Sequence, residues 1–312
     1  MTAVVYIVIY LGILCFVIAS FVRARHYASQ PLHLRWELYP VPHEDPERVG
    51  HGGSYFEDVD WWTKPPKFYR VSELKFMLPE MIFLKGLWEF NRPLWFRSFP
   101  FHFGLYLLMG AVFLVAVSAA LAALAPGLMA GLLGAVLAGL FTLCGALGAL
   151  LAVVGAFGLL LRRLRDPALR NYTAPGDIFN LLFFLIAFGL LAVGYLLRGP
   201  DAPGVLAMTT GLVTFDTSMR IPGVMAAGLI LTALLTAYIP MTHMAHFIAK
   251  YFTYHSIRWD DMPLSRAADL QKKFAEYLTY KPHWSAPHIQ ANGSKTWADI
   301  ATTNPHSGGN QK

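Results

Sequence analysis

From Phe101 to Leu161 the chain contains no Asp, Glu, Lys or Arg. A run of this kind has no face to offer water, and it far exceeds the roughly 17–25 residues that cross a bilayer once. Pro126-Gly127 lies where a tight turn would divide it into two crossings. Three further apolar stretches, Ala3–Val22, Ile178–Leu197 and Val224–Ile248, each match one crossing. The reading is an all-α membrane protein: a five-span transmembrane helix bundle with a cytoplasmic insert after the first span and a cytoplasmic C-terminal tail. Composition agrees, with 14% charged residues where a soluble domain carries about 25%.

The first apolar run has no basic residue ahead of it, is longer than the core of a secretory signal, and is followed at once by Arg23 and Arg25. It reads as a retained span with its N-terminus outside. Lys and Arg then set the orientation. Residues 23–100 hold eleven, 162–177 hold four and 249–312 hold eight, whereas the loop 198–223 holds only Arg198 and Arg220. The side carrying the other 23 is the cytoplasmic one by the positive-inside rule. The net charge of +6 therefore reflects orientation and contact with anionic lipid, and calls for no nucleic acid.

The chain divides into a first transmembrane helix (1–22), a cytoplasmic and interfacial insert (23–98), a four-helix transmembrane region (99–250) and a cytoplasmic tail (251–312). Pro31 to His51 reads as an extended soluble segment. Leu74–Phe90 reads as one interfacial helix, with Lys75, Lys85 and Glu89 in a single arc. Glu80 lies off that arc. Following Pro79, it reads as the first turn of a helix, with a buried acid as the alternative. Gly127, Gly131, Gly134, Gly139, Gly145, Gly148, Gly155 and Gly158 make the third span suited to close helix approach. A substrate path along it would need a polar lining that the spans lack. In the tail, Ser265–Tyr280 suits a helix, Asn292–Lys312 reads as extended, and the whole is expected to lie on a cytoplasmic partner.

Two histidines interrupt this apolar pattern. An ionisable side chain within a span is a functional candidate by default. His102 follows Arg97 by five residues and His246 precedes Lys250 by four, so each lies about 6–8 Å deeper than its flanking charge. If the second and fifth spans run antiparallel, the two imidazoles meet at one depth. A pair of neutral imidazoles facing across a bundle can hold a haem iron from both axial sides. His243, on a neighbouring face of the same helix, is an alternative ligand or a donor to a haem propionate. Arg97, Arg92 and Lys250 are placed for propionates, although positive-inside flanking accounts for them equally. Pro240 is expected to bend the fifth helix. Cys15 and Cys144 both lie in spans, and no Cys-x-x-Cys occurs. Cysteine-ligated iron–sulfur clusters and covalently attached haem are thus excluded from this chain, and a redox centre would have to rest on histidine.

Ser98-Phe99-Pro100-Phe101-His102-Phe103-Gly104 and Ile239-Pro240-Met241-Thr242-His243-Met244-Ala245-His246 resemble segments of the respiratory nitrate reductase gamma-subunit family. Its members are five-span cytochromes b that pass electrons from quinol to a cytoplasmic iron–sulfur subunit. Arg35-Trp36-Glu37-Leu38-Tyr39-Pro40, Trp61-Trp62-Thr63-Lys64 and Lys295-Thr296-Trp297-Ala298 are similar to segments of the cytochrome b subunits of heterodisulfide-reductase-like membrane complexes, the Tmc type of sulfate-reducing bacteria among them. The resemblance implies a bacterial inner-membrane location, haem b as cofactor and menaquinone as substrate. It further implies a cytoplasmic heterodisulfide-reductase-like iron–sulfur partner and a periplasmic multihaem cytochrome c in the same assembly. Two-haem members carry a second ligand pair where this chain has Val112 and Gly228, so one haem is expected. A second haem on His26 and His243 is the less favoured alternative. Quinone chemistry also moves protons, for which Glu80, Lys85 and His243 are candidates inside and Asp216 and Arg220 outside. The rival reading is a haem-free membrane anchor that assembles partners. A transporter is disfavoured by spans almost without ionisable residues.

Overall fold

The computed structural model describes residues 1–29, 59–60, 63–64, 70–253, 268–284, 289 and 291–303. The segment Pro31–His51, the motif Arg35–Pro40 and Trp61-Trp62 lie outside them. The chain separates into two units, Met1–Trp259 and Asp260–Lys312, and every regular element among the described residues is helical.

In chain order the first unit comprises α1 (Thr2–Ala28), α2 (Arg70–Phe83), α3 (Lys85–Phe90), α4 (Arg92–Leu124), α5 (Pro126–Met129), α6 (Leu132–Arg165), α7 (Pro175–Leu196), α8 (Val205–Thr214), α9 (Gly223–Tyr238) and α10 (His246–Thr253). Helices α1, α4, α6, α7 and α9, the last extended to Met241, are long and apolar enough to cross a membrane. Their outward faces carry exposed Leu11, Leu14, Phe113, Leu143 and Leu150, as lipid contact requires. The anticipated division falls where Ala125 leaves helical geometry and Pro126 opens the short α5.

Helix α4 starts at Arg92, well before the apolar run. Asn91 accepts a hydrogen bond from the Leu94 N–H at 3.2 Å, and Pro93 occupies the first turn, where its missing N–H costs nothing. Pro100 sits inside the helix. Against α4 lies α6, while α9 packs on both α7 and α1. The α4–α6 seam is as close as small residues permit: a methyl group on Gly155 would lie 2.6 Å from the Phe101 Cα, and one on Gly148 would lie 2.9 Å from the Gly104 carbonyl oxygen. Gly127 and Gly139 face open space, so only part of the glycine series serves the packing expected of it.

Three features depart from the sequence reading. The interfacial segment is two helices rather than one, because Leu84 adopts a left-handed conformation (φ 51°) between α2 and α3. Pro79 lies inside α2, so Glu80 is near that helix's end and is not in a first turn. The loop 198–223 contains α8, an apolar helix too short to cross. It packs against α4, and the Tyr6 and Tyr10 hydroxyls donate to its Met208 and Leu212 carbonyls.

The second unit holds α11 (Ala268–Leu278), inside the predicted Ser265–Tyr280, and α12 (Trp297–Thr302). The latter replaces extended chain in part of Asn292–Lys312. Thr296 and Asp299 form a reciprocal capping box, with the Thr296 N–H donating to the Asp299 carboxylate at 2.8 Å and the Asp299 N–H donating to the Thr296 hydroxyl at 3.2 Å. Such a box offsets the short length of a helix that propensity alone would not start.

Candidate functional site: a histidine pair at the basic end of the bundle

His102 projects from α4 one residue beyond Phe101, which belongs to a buried cluster with Ala156, Phe184, Ala187 and Leu235. The Gly155 contact therefore fixes the helix beside the histidine. The His102 Nδ1 lies 2.8 Å from the Ser98 backbone carbonyl and 3.3 Å from the Ser98 hydroxyl. A carbonyl oxygen only accepts, so Nδ1 carries the proton and Nε2 keeps its lone pair. This is the tautomer of a metal-ligating imidazole whose other nitrogen is held by the backbone.

The fifth segment does not reach His246 as one helix. Helix α9 ends at Tyr238, and Pro240 opens a turn of 3-10 helix over Ile239–Met241. Thr242 is extended (φ −116°, ψ −176°), His243–Ala245 form a second 3-10 turn, and α10 begins at His246. Proline removes one intrahelical donor and its ring crowds the preceding turn, which here breaks the helix where a bend was predicted. His243 and His246 consequently do not share a regular helix face.

The break brings His246 to His102, with ring centres 5.9 Å apart and ring planes inclined at 66°. Two imidazoles bound to one metal from opposite sides, with bonds of about 2.0 Å, have ring centres about 6 Å apart. Among the described residues no group of three or more His, Cys, Asp and Glu side chains is arranged to hold a metal ion. Any metal on this pair must bring its remaining ligands with it, as the iron of a planar tetrapyrrole does.

His243 turns toward α7 instead. Its Nε2 is 3.2 Å from the Asn180 side-chain nitrogen and 3.5 Å from an Asp177 carboxylate oxygen. Asn180, only 5% exposed, accepts a hydrogen bond from the Tyr238 hydroxyl at 3.0 Å. Asp177 also pairs with Arg163 at 3.3 Å and caps α7 by accepting the Ala174 N–H at 3.0 Å. Tyr238, Asn180, His243, Asp177 and Arg163 thus form one polar chain across three segments. Asn180 and Tyr238 are neighbours of the candidate site that sequence reading passed over. The available signal was an amide in an otherwise apolar span, where an unpaired polar group is costly.

The remaining candidates are dispersed. Lys250 is 2.9 Å from the Glu80 carboxylate, whose second oxygen accepts the Gly86 N–H at 2.7 Å, so Glu80 is the partly buried acid of the alternative reading. Lys85 pairs with Glu89 at 3.5 Å on a half-exposed surface. Arg92 lies over the Trp88 ring at 4.7 Å, and Arg97 folds back onto the Pro93 carbonyl of its own helix. Asp216 accepts the Ser218 N–H at 2.9 Å, which holds its carboxyl below the ordinary carboxylate range. Val112 is 66% exposed. A methyl group on Gly228 would stand 2.6 Å from the Leu191 backbone, so the α7–α9 contact has no room for a ligand side chain there. No protein-family model, curated protein or solved structure matches this chain.

Proposed function

We propose that this chain is the membrane cytochrome b subunit of a quinone-linked respiratory complex, with one haem b held between His102 and His246. The observation that carries the reading is the histidine pair itself: two imidazoles 5.9 Å apart, one of them held by the Ser98 carbonyl in the tautomer that leaves Nε2 as a donor. A haem on this pair supplies one-electron transfer at the basic end of the bundle. Ser98 fixes the direction of the His102 lone pair and strengthens it as a donor. The Phe101 ring meets the His102 ring edge-on at 5.3 Å and belongs to a buried apolar cluster with Phe184 and Leu235. Resemblance to the nitrate reductase gamma-subunit family supports the rest of the assignment. In that reading the basic end faces the cytoplasm of a bacterium, electrons pass between menaquinone and a heterodisulfide-reductase-like iron–sulfur subunit, and a multihaem cytochrome c joins from the periplasm.

The test is spectroscopic. The purified chain is expected to show a low-spin b-type reduced-minus-oxidised difference spectrum with one haem per chain. His102→Ala and His246→Ala should each abolish it while the protein stays in the membrane. A folded, purified chain without any haem signal sinks the proposal and leaves the anchor reading in its place.

A further inference from the structure

We propose that Glu80 and Lys250 form a clasp that positions His246 for ligation, a role that rests on the reading of His246 as an iron ligand. The need for such a device follows from the broken fifth segment. A histidine on a continuous helix inherits its direction from the whole rod. His246 is instead the first residue of α10 and is separated from α9 by two 3-10 turns and an extended Thr242. Its direction is therefore set by whatever holds α10.

Among the described residues, two sets of contacts do so. On one side, Phe247 stacks on Phe16 of α1 with ring centres 6.2 Å apart and planes inclined at 6°, and Phe252 meets Tyr27 at 5.8 Å. On the other, Lys250 lies one helical turn after His246, hence on the same face of α10, and pairs with Glu80 at 2.9 Å. The pair is about three-quarters buried, with side-chain exposures of 26% and 21%. Glu80 is itself immobilised, since its second oxygen accepts the Gly86 N–H beyond the left-handed turn at Leu84. Helix α2, which carries it, is pinned to α4, because the Tyr106 hydroxyl donates to the Met81 carbonyl and the Trp95 indole donates to the Phe83 carbonyl, both at 2.7 Å. Tyr106 and His102 are one turn apart on α4. The insert thus connects the helix bearing one histidine to the helix bearing the other, by a path that does not pass through α9.

The experiment compares Glu80→Gln, Lys250→Met, Lys250→Arg and Glu89→Gln in the full-length chain. Haem spin state is read by absorption and electron paramagnetic resonance, and chymotryptic cleavage after Tyr251 is read by mass spectrometry. Lys250→Met leaves the Gly86 N–H capped and so separates the clasp from the folding of the insert. Glu80→Gln and Lys250→Met should each convert part of the low-spin signal to high-spin and speed cleavage at least about fivefold, as proteolysis follows local opening. Lys250→Arg and Glu89→Gln should do neither. Faster cleavage with an unchanged spectrum, a changed spectrum with unchanged cleavage, or no change in either overturns the positioning role alone. A wild-type chain with no haem signal overturns the functional reading and this inference with it.

Discussion

At the scale of single residues, the site depends on which atoms each polar group has already engaged. His243 was the alternative to His246 as a ligand, and what its ring already engages sets it apart from the pair. His102 offers an Nε2 whose ring partner is secured by Ser98, whereas the His243 Nε2 faces Asn180 and Asp177. His243→Ala should therefore retain the b-type spectrum that His102→Ala loses. Its loss in His243→Ala would refute His102 and His246 as the ligand pair. Tyr238→Phe leaves the buried Asn180 carbonyl without its donor, and should destabilise the protein by roughly 1–3 kcal/mol, measured by thermal unfolding in detergent.

Among the helices, close approach and capping decide what the apolar pattern leaves open. Gly155 sits against the Phe101 backbone and Gly139 faces open space. Gly155→Leu should force α4 from α6 at a cost of about 1–3 kcal/mol or more and disturb the histidine pair, while Gly139→Leu should be tolerated. Equal thermal stability of the two variants would contradict the seam. In the second unit, hydrogen bonds from the Thr296 N–H and hydroxyl hold the Asp299 carboxyl below its ordinary value. A carboxyl lowered in the folded state adds stability that is complete above the unfolded value and disappears as pH falls through the folded one. Hydrogen exchange over Trp297–Thr302, corrected for the intrinsic rate, should accelerate on acidification below about pH 4. Asp299→Asn should lose that acid-dependent step. An identical profile in the variant would rule out the cap as its source.

At the largest scale, the first unit, Met1–Trp259, is organised by an asymmetry of charge between its two ends. Arg97, Arg163, Lys250 and both histidines lie at one end, while Thr2 bonds the Met219 carbonyl at the other. If the basic end faces the cytoplasm, an impermeant maleimide should label Ala202→Cys in intact cells and Thr279→Cys only after permeabilisation, in a background lacking Cys15 and Cys144. The opposite labelling pattern would invert the topology.

Much of this architecture was legible beforehand because it depends on local energetics. A backbone in lipid must pair its own polar groups, so length and apolarity are enough to identify five crossings, and Pro126 is enough to divide the longest run. The two histidines stood out for the same reason, as costly groups in an apolar setting.

The contacts passed over are those that depend on how helices rotate against one another, which hydrophobic periodicity does not specify when the helix is apolar all round. No pattern in the chain says that Asn180 faces His243, or that Glu80 meets Lys250 across 170 positions. Nor does one say that Pro240 ends the helix instead of bending it, since a proline break is tolerated only where neighbouring elements hold the pieces. The sequence alone determined that this protein crosses a membrane five times and carries two histidines near one end. Tertiary packing decided that those histidines face each other, because the break at Pro240 and the clasp at Lys250 orient His246 independently of the helix before it.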